Sequence, residues 1–384
     1  MVRGSSSAII FGDYVNAFSI IRSLLRIKWS GRIISLKDGK HTDFIRYYKN
    51  KIEIFDVSYM DIESILKFLQ STIPNNEDKV LFFTNEKYHE CVNKHKNHPW
   101  FKSSRYFLGS NKRLDVILDR FKLYEFVNDK NLCGAPKTVC GTGNPFVNLG
   151  DKFIMRARKS WNNGLKTPRV KIIEDKDSFE SAISEFRRNG LEEKDWCFQE
   201  ILSLRPEDNV SVSGWHDESA SIMLVTRKLM QHPKWGGNGD IVEVVEPHTE
   251  LLDVAKRILS ELDFTGPFEM EFIRDQRNGE FKLIELNPRF WMQHEIIGQL
   301  SNDGLVRKYL NLDWKPNKEG YERKSERRYS FWLYTPYVFY RLVRMDLRVV
   351  PYLISSRSLL VPDFFTALKW TSRYSWRLLQ ERLT

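Results

Sequence analysis

Two short strings hold the residue types with the clearest chemistry in this chain: Phe268-Glu269-Met270-Glu271-Phe272 and Leu283-Ile284-Glu285-Leu286-Asn287-Pro288-Arg289-Phe290-Trp291. They fall on strands read near Phe268 to Ile273 and Phe281 to Leu286, and Asp275-Gln276-Arg277-Asn278-Gly279 between them is turn chemistry, so together they predict a hairpin. Side chains alternate along a strand, which puts Glu269 and Glu271 on one face and Glu285, Asn287 and Arg289 on one face. If the strands pair about the turn, carboxylates from neighbouring strands meet beside an amide oxygen. Hard oxygen donors of this kind suit Mg²⁺, which takes a few carboxylates together with phosphate oxygens. A metal so held bridges the β- and γ-phosphates of a nucleotide and offsets charge during phosphoryl transfer. Acidic pairs alone describe an exposed, solvated hairpin equally well. The full string from Glu285 to Arg289 is the more specific signal.

The elements that must position these residues follow from periodicity. Ser7 to Phe11 is a short apolar run broken at Gly12-Asp13, and Ala17, Phe18, Ile20, Ile21, Leu24 and Leu25 then recur at helical spacing. Strands at 31–36 and 80–83 flank a helix over 61–69, an alternation that implies a parallel sheet covered by helices. The glycine is single, with no G-x-G-x-x-G, so no dinucleotide site is read there. A charged helix spans 111–128 and is stopped by Gly134-Ala135-Pro136. Short strands and turns run from 138 to 245, with Asn162-Asn163-Gly164 and Gly236-Gly237-Asn238-Gly239 as flexible loops. Residues 251–262 form an amphipathic helix that leads into the hairpin.

The hairpin strings resemble the metal-binding end of ATP-grasp enzymes, and most closely the carboxylate–amine ligase branch that includes D-aspartate ligase. The resemblance extends upstream in order. Phe198-Gln199-Glu200-Ile201 is similar to the adenine-contacting hinge, and Asp208-Asn209-Val210-Ser211 lies where such proteins hold the ribose. Thr226-Arg227-Lys228-Leu229, His232-Pro233 and the glycines at 236–239 resemble the strand and loop that close over phosphates. Lys122 matches the first nucleotide lysine. The resemblance covers residues 5–316 and implies an ADP-forming ligase that makes an acyl phosphate and then an amide or peptide-like bond. It implies ATP and Mg²⁺ (with Mn²⁺ as an alternative), a small carboxylate substrate and an amine such as an amino acid or peptide. Glu271, Glu285 and Asn287 would bind the metal. Arg289 would steady the phosphorylated carboxylate, and Arg227 with Lys228 would contact the γ-phosphate. Lys122, Arg156, Glu200, Ile201, Asp208 and Lys228 would hold the nucleotide.

Two positions depart from the family pattern. The second nucleotide lysine is replaced by Arg156 after the strand Phe153-Ile154-Met155, a planar and bulkier cation. The lysine that usually follows an aspartate follows Phe121 here, with Asp119 two residues before that phenylalanine. These departures keep a second function open, that of an ATP-binding regulatory or scaffold protein with little turnover. Singly, Glu200 reads as an edge-strand carboxylate, Asp208 as turn chemistry and Lys122 as a solvent-facing helix residue. His216, His232, His248 and His294 show no metal spacing, though His294 follows the Asn287 strand closely enough to reach substrate.

The composition, 384 residues with 41% hydrophobic and 29% charged, is that of a globular protein with room for two or three domains. The fold expected is α/β at residues 1–108, a two-lobed α+β ATP-grasp unit at 109–316 (lobes 109–195 and 196–316) and a basic, aromatic, helical tail at 317–384. Four cysteines without C-x-x-C spacing suit a reducing, cytoplasmic compartment and speak against a disulfide framework or a zinc site. Seven of the ten net positive charges fall in 317–384, which holds 13 Lys/Arg against 6 Asp/Glu. No nucleic-acid motif accompanies them, so no nucleic acid is expected as a partner. Tyr329 to Tyr340 contains seven aromatics and no charge, too short a run to span a bilayer. It either packs on the core or a second subunit, or lets residues 323–384 lie on the inner face of a membrane. A homodimer is the default assembly.

Overall fold

The computed structural model describes residues 6–38, 44–162, 165–168, 170–218, 221–233, 235–246, 248–298, 304–312 and 329–362. The first sheet is parallel, in the order β3-β2-β1-β4-β5, built from β1 (Ser6–Phe11), β2 (Arg32–Lys37), β3 (Glu53–Asp56), β4 (Asp78–Phe83) and β5 (Ser104–Arg105). Every residue of β1 is buried, as expected of a central parallel strand covered on both faces. The chain turns out of β1 at Gly12, whose φ of +134° and close approach to Thr84 leave no room for a Cβ. Helix Val15–Arg26 follows, then Ile62–Thr72, which is capped by Asp61 accepting from the Ser64 amide. The expected strands and helix of this region are present within a few residues of their predicted bounds.

The helix expected over 111–128 is two helices, Leu114–Leu118 and Arg120–Asp129. Asp119 separates them in an extended conformation, its carboxylate capping the second helix at the Phe121 and Lys122 amides. A salt bridge from Arg158, at 2.8 Å, holds that carboxylate in place. The break turns Arg120 and Lys122 to different sides, which matters below.

A small antiparallel sheet, β10-β7-β11-β6, comprises β6 (Thr138–Cys140), β7 (Phe153–Ala157), β10 (Lys171–Ile173) and β11 (Trp196–Gln199), with β8 (Trp161–Asn162) and β9 (Leu165–Lys166) as a separate ribbon. Helix Lys176–Arg188 packs on it through Ala182 and Phe186. Of the expected loop at 162–164, Asn163 and Gly164 lie outside the described residues. The large sheet has the order β16-β15-β12-β13-β14-β17-β18, with β12 (Asn209–His216), β13 (Ser221–His232), β14 (Asn238–Val244), β15 (Gly266–Arg274), β16 (Phe281–Asn287), β17 (Phe331–Tyr334) and β18 (Ser358–Val361). Helix Thr249–Glu261 buries Leu251, Leu252, Ala255, Ile258 and Leu259 against it. The hairpin β15–β16 is the predicted one, extended by a residue or two at most strand ends.

The centre of the tail's aromatic run is core. β17 pairs with β14, Trp332 and Leu333 are fully buried, and Tyr334 is 2% exposed. Besides helices Thr335–Val343 and Val350–Leu353, the tail therefore supplies two strands; Trp332 and Tyr334 belong to the core, while Tyr329, Phe331, Tyr337, Phe339 and Tyr340 are half-buried. Residues 317–328 and the basic stretch from Phe364 to Leu383 lie outside the described residues. Among the described residues, no helix is long and apolar enough to cross a membrane. Because Trp332 fills a closed core, Trp332→Ala is expected to lower the unfolding free energy by about 3–5 kcal/mol in urea denaturation. An unchanged midpoint would contradict the core placement of the tail.

Candidate active site

A cavity of about 660 Å³ opens where the three sheets meet, lined by the first turn after β1, the small sheet, the loop after β11 and the hairpin. The hairpin register places Glu269 opposite Asn287 and Glu271 opposite Glu285, so three carboxylates and one amide form a compact group. Asn287 Nδ2 donates to Glu285 Oε1 at 3.2 Å and to Glu269 Oε2 at 3.4 Å. β12 runs beside β15 and adds Asn209, whose Nδ2 donates to Glu271 Oε2 at 3.1 Å and whose buried Oδ1 has no hydrogen-bond partner among the described residues.

So many carboxylates in one partly buried place are tolerable only if cations face them. Lys228 on β13 pairs with Glu271 at 2.8 Å. Two guanidiniums converge on Glu285 Oε2: Arg120 through Nε at 2.9 Å and an Nη at 2.6 Å, and Arg156 on β7 at 3.1 Å. The electrostatics set Glu269 and Glu285 apart. Burial pushes Glu269 up, reinforced by Glu271, despite the opposing pull of Arg289 and Lys228. Burial acts on Glu285 in the same direction but is outweighed by Arg120 and Arg156, which hold its carboxyl well below the usual range. Lys228 is likewise desolvated, yet Glu271 keeps its ammonium above the ordinary lysine value. Divergent titration of adjacent acids is a recurrent mark of functional sites.

The structure brings most of the sequence-derived site together. Glu271, Glu285, Asn287, Lys228, Arg156, Glu200, Ile201 and Arg289 all line the cavity. Arg289 pairs with Glu86 at 2.5 Å, across from the first sheet. Glu200 accepts from the Lys137 amide at 2.7 Å, Lys282 at 3.0 Å and Arg277 at 2.6 Å. Its own carboxylate thus tethers the strand β11 to the hairpin, while residues 199–203 line the cavity.

Three of the expected residues lie off the cavity wall. Arg227 and Lys228 are consecutive on β13, so they face opposite ways; Arg227 pairs with Glu243 at 2.6 Å and does not line the cavity. Lys122 pairs with Asp115 at 2.7 Å on the outer side of its helix, because the Asp119 cap makes Arg120 the residue that enters the site. Asp208 is buried but occupied by Ser203, Arg205 and Gln276, with Arg205 Nε at 2.9 Å, and braces its own turn. His294 is also structural: its Nδ1 meets the Trp291 carbonyl at 2.8 Å, and burial pushes its ring down to about 4. The residue missed was Arg120. Its signal was present, since it directly follows Asp119 as the family lysine follows its aspartate.

The glycine loop fits its expected place. Trp235 to Gly239 line one wall of the cavity. Gly236 has φ +59°, and a Cβ on Gly237 would lie 2.2 Å from the Pro233 carbonyl oxygen. Beside that loop the tail contributes Tyr334 and Tyr337 to the lining, the latter packed on the His232 ring at 4.7 Å.

No family model matches the chain, and no curated protein matches it. Solved structures do. N5-carboxyaminoimidazole synthetase from Staphylococcus aureus superposes with a TM-score of 0.59 at 13% identity, over 84% of this chain and 81% of that one. For the biotin carboxylase domain of 2-oxoglutarate carboxylase from Hydrogenobacter thermophilus, solved with MgADP, ADP and bicarbonate, the values are 0.60, 11%, 86% and 74%. For L-amino acid ligase from Bacillus licheniformis they are 0.57, 9%, 80% and 74%. The chain has the ATP-grasp fold.

The geometry separates neighbouring cations cleanly. Arg120→Ala is expected to weaken Mg-ADP binding at least tenfold by calorimetry, and Lys122→Ala to leave it within about twofold, since an exposed ion pair contributes little. Equal effects would mean that Arg120 is not the nucleotide-facing residue.

Proposed function

We propose that this protein is an ADP-forming carboxylate–amine ligase. The observation that carries this reading is the paired register of Glu269–Asn287 and Glu271–Glu285, a wall of oxygen donors facing Lys228, Arg120 and Arg156 across one cavity. The donor set fits Mg²⁺: Glu271, Glu285 and Asn287 supply hard oxygens, and the orphaned Asn209 Oδ1 stands beside them. Bound there with ATP, the ion would neutralise phosphate charge and align the β- and γ-phosphates.

The chain's own residues account for the rest. Lys228 and Arg156 present fixed positive charge to the transferring phosphoryl group, and Arg120 holds Glu285 ionised. Residues 199–203 carry the backbone donors and acceptors of the hinge against which adenine would lie. Arg289, braced by Glu86, stands where the activated carboxylate would sit. No side-chain nucleophile is required, because the substrate carboxylate itself attacks the γ-phosphate. The amine then attacks the acyl carbon of the resulting acyl phosphate and displaces inorganic phosphate, so water, a competing nucleophile, must be kept out. Trp235–Gly239, with Tyr334 and Tyr337 beside them, are placed to exclude it. The carboxylate substrate and the amine belong to the class of small molecules, with amino acids and short peptides as first candidates.

One observation favours a second reading, an ATP-binding regulatory protein with little turnover. Glu285 Oε2 already accepts from three guanidinium N–H groups of Arg120 and Arg156, where the family pattern has lysines, and a metal would compete for it.

Calorimetric titration of Mg-ATP followed by a screen of carboxylate and amine pairs for ADP release separates the two. Micromolar binding that weakens at least tenfold in Glu285→Ala, together with acid-dependent ADP release, is the expected result. Binding without ADP release from any pair would favour the regulatory reading, and no binding by the folded wild type would overturn both.

A further inference from the structure

A second group of donors lies on the helices that cover the first sheet, away from the nucleotide cavity. Glu63 is in the first turn of helix Ile62–Thr72, and Cys91 and His95 are four residues apart on helix His89–His95, hence on one face. Cys91 Sγ lies 3.4 Å from Glu63 Oε1; His95 Nε2 lies 3.2 Å from that oxygen and 3.0 Å from Oε2. The three donor atoms all fall within 4.8 Å of one another. Tetrahedral zinc, with bonds of about 2.3 Å to sulfur and 2.0–2.2 Å to nitrogen and oxygen, holds its ligand atoms roughly 3.4–3.6 Å apart. The two contacts to Glu63 already stand close to that spacing.

We propose that Glu63, Cys91 and His95 form a Zn²⁺ site, with water in the fourth position. One sulfur, one imidazole nitrogen and one carboxylate are a donor set that selects zinc-like ions and is poor for Mg²⁺, so this site and the hairpin cluster are chemically distinct. A reactive-thiol role fits less well. Burial and the adjacent Glu63 push the uncomplexed Cys91 thiol up to about 12, which leaves little thiolate at neutral pH. The simplest competing account, a surface His95–Glu63 ion pair beside a buried cysteine, requires no affinity for metal at all.

The site would join two helices of which the second abuts the nucleotide cavity. From helix His89–His95, His89 Nε2 meets the Pro288 carbonyl at 3.0 Å, and Glu90 pairs with Lys159 beyond the small sheet. A metal clip at Cys91 and His95 therefore fixes the far side of a helix whose near side touches the strand that ends in Asn287-Pro288-Arg289. Cys-x-x-x-His at helical spacing was visible in the chain, but Glu63 is brought to it only by packing.

Co²⁺ titration of the chelator-stripped full chain tests the proposal through a spectrum that owes nothing to nucleotide, so its failure is separable from failure of the ligase reading. The expected result is one equivalent of Co²⁺ with a thiolate-to-cobalt charge-transfer band in the near ultraviolet, bleached by Zn²⁺. Cys91→Ser should abolish the band, His95→Ala should weaken Co²⁺ binding at least tenfold, and Cys140→Ser, at the half-buried thiol of the small sheet, should leave it unchanged. His95 is about two-fifths exposed, so its variant keeps the fold even where the serine variant does not. No band from the folded wild type, or a band that persists in Cys91→Ser or is undiminished in His95→Ala, overturns the proposal.

Discussion

Three carboxylates on adjacent strands, partly withdrawn from water, repel one another and lose hydration together. That arrangement persists only where positive charge is delivered from elsewhere in the chain. Here the charges come from three separate elements: Lys228 from β13, Arg120 from the start of a helix and Arg156 from the small sheet. Each cation is desolvated by the same burial that threatens the acids, so neither set is tolerable alone. The pairing therefore ties the large sheet to the small one and to the break at Asp119.

The first sheet is joined to this assembly by polar contacts that converge on the residues just after β16. Asn16 donates to both the Thr84 and Phe290 carbonyls, at 2.8 and 3.1 Å. Glu295, almost fully buried, accepts from Ser19 at 2.8 Å and is paired with Arg22 and Arg26 of the same helix. His89 and Glu86 reach Pro288 and Arg289 from another side. The end of the acidic strand is thus held from both faces, which sets the aim of Arg289. The tail closes the opposite edge: β17 covers β14, which would otherwise present a hydrogen-bonding edge beside the glycine loop.

Periodicity and local chemistry made much of this legible in advance. Alternation alone predicted which hairpin residues share a face, and the turn at 275–279 predicted the pairing, so the acidic wall was readable before any coordinates. The βα rhythm of residues 7–83 likewise implied a parallel sheet. Local reading failed where two neighbours compete for one role. Lys122 and Arg120 differ by two positions on one helix, and Arg227 and Lys228 by one position on a strand; motif spacing cannot choose between them.

What the chain determined by itself is the class of element at each place and the face each side chain takes within it, because both follow from the backbone's periods of two and 3.6. What only the tertiary structure decided is which of those faces meet. The Asp119 cap, held by Arg158 from another sheet, turned Arg120 inward and Lys122 outward. The uncharged aromatic run of the tail became a sheet strand because an unpaired edge of β14 lay beside it, and Glu63 met Cys91 and His95 because two helices share one sheet face. Such encounters join residues far apart in the chain, and their energy depends on desolvation and geometry that no local window contains.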